Sequence, residues 1–146
     1  MKLREAEVKD ITELHRIRVA VKENALSDPN LISVADYETF LTKKGKGWLV
    51  EGGGSVLGFT IVDLEGKNVW ALFVDPTAEG RGIGRQLHDT MMDWYFQQTS
   101  EPIWLSTAPA SRAKRFYRKA GWIENGTYGK GEIRFEMKAE DWISER

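Results

Sequence analysis

Residues 69–95 read VWALFVDPTAEGRGIGRQLHDTMMDWY, and the rest of the chain is organised around this stretch. An apolar run over residues 69–74 reads as a strand, and it leads into Asp75-Pro76 and a glycine-rich turn. Gly80, Gly82 and Gly84 remove side chains from that turn, so successive backbone N–H groups are free to converge on an anion. Ile83, Leu87, Met91, Trp94 and Tyr95 then recur on one face of a long amphipathic helix. Its N-terminus adds unpaired N–H groups and the positive end of its dipole. A strand feeding such a turn and helix is a phosphate-binding device.

Two familiar devices of this kind fail on chemistry. A P-loop needs Lys-Ser or Lys-Thr after its last glycine, and Gly84 is followed by Arg85-Gln86. A dinucleotide fingerprint starting at Gly82 needs a small residue where Leu87 stands. It also needs an acidic residue at the end of a second parallel strand, and none stands at the required distance.

Working outward, residues 2–5 predict an opening strand. Ile11, Leu14, Ile17 and Val21 predict a first helix over about residues 8–23. Residues 24–30 are turn chemistry, with Pro29 forbidding helix. Ser33 with Asp36 forms a variant capping box that opens a second helix, striped by Val34, Tyr37, Phe40 and Leu41 and stopped at Gly45. Strands over 48–51, 56–63 and 69–74, separated by glycine turns, predict an antiparallel meander. After the central helix come a strand over 103–106, a short basic helix from Ser111 to Ala120, and a hairpin of 122–124 with 133–138. The order β-α-α-β-β-β-α-β-α-β-β predicts one α/β (α+β) domain over 1–146, a mixed, mostly antiparallel sheet with helices on both faces.

With 146 residues and 41% hydrophobic content, the chain is long enough to bury a core as one domain. Zero Cys excludes disulfides and thiolate metal sites and makes a reducing cytoplasm the simplest compartment; two distant His give little support to a metal. No signal core or transmembrane run is present, and a net charge of −1 gives no electrostatic support to nucleic-acid or membrane binding. Residues 81–119 nevertheless carry +4 against −5 elsewhere. That imbalance is either chance bias on a solvated helix face or a basic region for a phosphate-rich ligand, with an acidic remainder that meets a cationic amine.

The central stretch resembles the acyl-CoA loop of the GNAT superfamily of N-acetyltransferases, Gln/Arg-x-x-Gly-x-Gly/Ala after a strand ending in Val-x-Pro. Val74-Asp75-Pro76 and Glu79-Gly80-Arg81-Gly82-Ile83-Gly84 take those places, with Glu79 departing from the Gln/Arg. Ala113-Lys114-Arg115-Phe116-Tyr117-Arg118-Lys119-Ala120-Gly121-Trp122 resembles the same family's A-x-x-F-Y-x-K-x-G-F. The Asn that often precedes this run is replaced by Ala110. The order of elements also matches that family from end to end.

The resemblance implies an acetyl-CoA-dependent N-acetyltransferase that moves an acetyl group directly, in a ternary complex, to a primary amine of a small molecule or peptide. Backbone groups of Leu72, Phe73 and Val74 would pair with the pantetheine arm, and an N–H near Phe73 would face the carbonyl oxygen. The amides of Arg81, Gly82, Ile83 and Gly84 would hold the pyrophosphate, flanked by Glu79, Gly80 and Arg85. Tyr117 would be the general acid, because a phenol with an ordinary pKa of about 10 is protonated at neutral pH and can donate to a departing thiolate.

No general base stands out. Some members of the family carry a Glu where this chain has Trp70, and His15, Glu23, Asp36, Glu51 or water are the alternatives. For His15 a solvent-facing place on the helix is the expectation. Arg18, Glu23, Asn24 and Ser27 fall where the acceptor site opens in the family, with Trp70 as a pocket wall or a plain core aromatic. A non-catalytic acyl-CoA-binding or sensing domain is the alternative function. The last strands offer an edge for a homodimer.

Overall fold

The computed structural model describes residues 1–21 and 32–145, and the described residues form an α+β fold of seven β-strands and five α-helices. Contacts divide the chain into two compact units, residues 1–95 and 96–146.

In the first unit β1 (Lys2–Glu5), β2 (Gly45–Gly52), β3 (Ser55–Asp63) and β4 (Asn68–Val74) pair antiparallel in that order. The meander therefore stands where the glycine turns placed it. Helices occupy both of its faces. On one face Leu49, Phe59, Ile61 and Ala71 bury against Leu14 and Ile17 of α1 (Ile11–Ala20) and Tyr37 of α2 (Val34–Thr39). On the other, α3 (Ile83–Gln98) lies against Gly58 and Thr60, whose hydroxyl is 3.0 Å from the sulfur of Met91. Gly58 is what allows that approach: a Cβ there would stand 3.0 Å from Ile83 and 3.1 Å from the Phe73 carbonyl. The start of α3 is thus pressed onto the strand pair that precedes its loop.

The first helix is shorter than its apolar spacing predicted. Residues Val8–Asp10 form a 3-10 turn, α1 begins at Ile11, and Val21 is already extended at φ −78, ψ 111. The entry is set by Asp10, whose carboxylate accepts the N–H of Glu7 at 2.8 Å and two guanidinium bonds from Arg4 at 2.8 and 3.0 Å. Ser33 and Asp36 do form the reciprocal cap that opens α2. Past α2 the chain continues as a π-turn (Phe40–Lys44), and Gly45 both ends the helical run and begins β2. Glycine is needed at 45 because a Cβ would run into the Val62 carbonyl.

In the second unit β7 (Glu132–Met137) pairs antiparallel with both β5 (Ile103–Thr107) and β6 (Ile123–Tyr128). Between β5 and β6, α4 (Arg112–Lys119) opens on Ser111, which accepts the N–H of Lys114 at 3.1 Å. The final hairpin is longer than predicted, because a bulge between Glu124 and Thr127 absorbs Asn125 and Gly126 without ending the strand. The helix α5 (Ala139–Glu145) was not foreseen. Its signals are an acidic first turn, Glu140 and Asp141, and one buried aromatic, Trp142.

Candidate active site

β4 delivers the chain to the loop at Asp75. This residue is 9% exposed and caps a 3-10 turn (Pro76–Ala78): its Oδ1 accepts the N–H and the hydroxyl of Thr77, each at 2.9 Å. Its own N–H donates to the Leu57 carbonyl at 2.8 Å, so the strand exit is fixed to β3. The other carboxylate oxygen, Oδ2, accepts from Nη1 of Arg16 on α1 at 3.0 Å. The Thr77 N–H first, and Arg16 after it, hold this carboxyl below the usual carboxylate range despite its burial.

Glu79 closes the turn in extended conformation and is exposed. Gly80 and Gly82 follow with φ of +79° and +77°. A Cβ at either would meet nothing within 4 Å, so backbone conformation rather than crowding requires glycine here. Gln86 reaches back to the Gly82 carbonyl at 3.1 Å and closes the first turn of α3. The N–H groups of Ile83, Gly84 and Arg85 precede that closure and point out along the helix axis. As the first residues of a sixteen-residue helix, they also carry the positive end of its dipole. Arg81 is exposed, and Arg85 lies along the helix surface with its Nε 3.2 Å from Asp89. Asp89 is pushed up by burial, but contacts with His88 and Arg85 more than offset this and leave its carboxyl low.

Upstream, Leu72, Phe73 and Val74 pair with Thr60, Phe59 and Gly58 of β3. The register slips at Ile61/Val62, which face Ala71 and Val69, so Trp70 is the extra residue of a β-bulge. The bulge lets Trp70 join the α1–α2 face alongside Ala71 instead of alternating away from it. There its ring stacks on Phe40 at 4.4 Å and meets Tyr37 edge-on at 5.2 Å, while the Arg18 guanidinium sits 4.7 Å above it. Arg18 also lies 5.1 Å over Phe73 and donates to the Trp70 carbonyl at 3.4 Å. Burial depresses its pKa, and a hydrogen bond to Tyr37 opposes that shift.

His15 departs from the expected solvent-facing place. It is half-buried, with Nδ1 3.0 Å from the Tyr37 hydroxyl, and both line a cavity of about 370 Å³ with Ile11, Thr12, Ile32, Ser33 and Val34. Tyr37 stands 22 residues further along the chain and on another helix, so spacing within α1 gave no sign of the contact. Of the other base candidates, Asp36 caps α2 and Glu51 accepts from Arg4 at 3.2 Å. Glu23, Asn24 and Ser27 lie outside the described residues.

In the second unit Tyr117 is 6% exposed on α4, packed edge-on against Phe116 and Trp122 at 5.2 and 5.4 Å and tilted toward Phe135 at 6.3 Å. Burial pushes its phenol well above the ordinary value, so it stays protonated across the neutral range.

The acetyltransferase (GNAT) family model matches residues 11–122, which takes in the glycine loop and the Tyr117 run alike. The chain belongs to the GNAT family. It is therefore an acyltransferase of a family that uses acetyl-CoA. No curated protein matches it. Solved structures share the fold at low identity. A GNAT-family acetyltransferase from Staphylococcus aureus Mu50 superposes with a TM-score of 0.80 at 18% identity, over 94% of this chain and 98% of that one. The PaiA N-acetyltransferase of Thermoplasma acidophilum, crystallised with coenzyme A, gives 0.77 at 12% identity over 94% and 98%. The ribosomal-protein-S18-alanine N-acetyltransferase of Escherichia coli gives 0.73 at 17% identity over 93% and 90%. Among the described residues, no helix is long and apolar enough to cross a membrane.

Proposed function

We propose that this GNAT domain, residues 1–146, transfers the acetyl group of acetyl-CoA directly to a primary amine of a small molecule or peptide. The observation that carries the reading is the loop: two glycines at positive φ, open on their Cβ sides, lead into the N–H groups that the first turn of α3 leaves without helical partners. Those N–H groups and the helix dipole suit a diphosphate. Arg81 to Gly84 supply the donors, with Glu79, Gly80 and Arg85 at the margins and Glu79 contributing backbone alone. The backbone of Leu72 to Val74 receives the pantetheine arm.

In the transfer the amine lone pair attacks the thioester carbonyl, and a C–N bond forms while charge gathers on the carbonyl oxygen, near a β4 N–H beside Phe73. Collapse breaks the C–S bond. Tyr117 gives its proton to the leaving sulfur, and the proton lost by the amine passes to water. Burial keeps the Tyr117 phenol protonated but weakens it as an acid, so its proton moves only as negative charge develops on the departing sulfur. Glu23, Asn24, Ser27 and Trp70 are the acceptor-side residues of this reading, which includes neither metal nor nucleic acid.

The test is calorimetric binding of acetyl-CoA followed by release of CoA thiol with a panel of amines. Binding with amine-dependent release supports the enzyme, and binding without release for any amine supports an acyl-CoA sensor instead. Replacing Tyr117 with Phe is expected to lower kcat about 100-fold with little change in acetyl-CoA affinity. Unchanged turnover across pH removes Tyr117 from the mechanism.

A further inference from the structure

The loop assigned to the diphosphate opens on a carboxylate. Asp75 is nearly buried where β4 ends, and Glu79 stands four residues later on the surface. Both bring negative charge to a place that, in the reading above, receives more of it. Arg16 answers the first of them from a distant part of the sequence, 59 residues away. Its Nη1 is 3.0 Å from Asp75, its Nη2 donates to the Val56 carbonyl at 3.1 Å, and its Nε donates to Glu13 at 3.0 Å. The guanidinium is thereby fixed on three sides. The Asp75 carboxylate is in turn fixed by Thr77 on the loop side. A continuous chain of hydrogen bonds runs from α1 through Arg16 and Asp75 into the first turn of the loop.

From this geometry we infer that Arg16 is a positioning residue of the cofactor site, which orients the loop through Asp75 and cancels the Asp75 charge beside the bound diphosphate. The inference rests on the loop being the acetyl-CoA site. Two consequences separate it from a simple stitch between α1 and the sheet. Losing Arg16 must weaken cofactor binding and leave the bound complex reactive. Removing the Asp75 charge must then repair part of the damage, because the side-chain amide of an Asp75→Asn variant still offers an oxygen to Thr77 but no longer repels the ligand.

The experiment measures acetyl-CoA affinity by calorimetry at low and high ionic strength for wild type, Arg16→Met, Asp75→Asn and the double variant. Arg16→Met is expected to raise Kd about fivefold at low salt, with kcat at saturating acetyl-CoA within about twofold of wild type. Adding Asp75→Asn should recover at least half of that loss, and high salt should shrink the difference. A lowered Tm with unchanged Kd overturns the inference, as does a double variant weaker than Arg16→Met alone. If Arg16→Met does not fold, Arg16→Lys against Arg16→Gln carries the same test: the Lys variant must bind the tighter of the two, and equal affinities overturn it. Failure of wild type to bind acetyl-CoA at all would instead defeat the proposed function itself, before any variant is compared.

Discussion

Two regions at opposite ends of β4 are built on different principles. The loop after the strand is made of main chain: Gly80 and Gly82 at positive φ, then the N–H groups that α3 leaves open. The cluster around Trp70 is made of side chains gathered from α1, α2, the π-turn and a bulge. Arg18, Tyr37 and Phe40 each meet Trp70, and His15 meets Tyr37. A main-chain site tolerates change in most neighbouring side chains but not in its φ values. A side-chain cluster tolerates backbone adjustment but loses packing with each truncation.

That contrast can be broken by mutation. Trp70→Ala removes the ring on which Phe40, Tyr37 and Arg18 converge, and a loss of about 3 kcal/mol in chemical denaturation is expected, with acetyl-CoA affinity little changed. Equal damage to affinity would erase the distinction between the two regions. Gly82→Val places a β-branched residue at positive φ, and the KM for acetyl-CoA should rise about tenfold. Should the Tm fall by many degrees while KM holds, the glycine serves folding rather than the ligand.

Asp10→Asn probes the entry of α1, where Arg4 holds the carboxyl below its ordinary range in spite of burial. A loss of about 1–2 kcal/mol is expected at neutral pH. Because the folded pKa is depressed, the wild-type contribution is present above about pH 4 and disappears as pH falls through the lower folded value. The Asn variant should therefore lose less stability than wild type in that acid range, and parallel acid transitions would deny the linkage. The smallest effect belongs to Tyr37→Phe, which removes the hydroxyl shared by His15 and Arg18 and should cost about 1 kcal/mol. A change confined to the pH–rate profile, with stability intact, would move this hydroxyl from packing to catalysis.

Much of the first region was readable along the chain. Val74-Asp75-Pro76 and the three glycines lie within eleven residues, and their meaning depends on local φ and on the start of one helix. The Ser33–Asp36 cap and the meander were legible for the same reason, since each is settled by contacts between near neighbours in sequence. Boundaries were less so. Apolar spacing extended α1 too far at both ends, because the 3-10 entry depends on Arg4 reaching Asp10 and the periodicity of Val21 outlasts the helix. The short helix α5 carried one buried aromatic, too little pattern to show a face.

The sequence by itself determined a glycine loop between a strand and a long helix, a Tyr-bearing basic helix, and membership of an acyltransferase family. These are local patterns, and a pattern of neighbours survives translation into structure. Only the tertiary structure decided that His15 meets Tyr37, that Arg18 lies over Trp70, and that Arg16 clasps Asp75. Those partners stand 22 to 59 residues apart. No periodicity in the chain encodes which of many distant side chains will be brought into hydrogen-bonding or ring contact when helices pack on a twisted sheet.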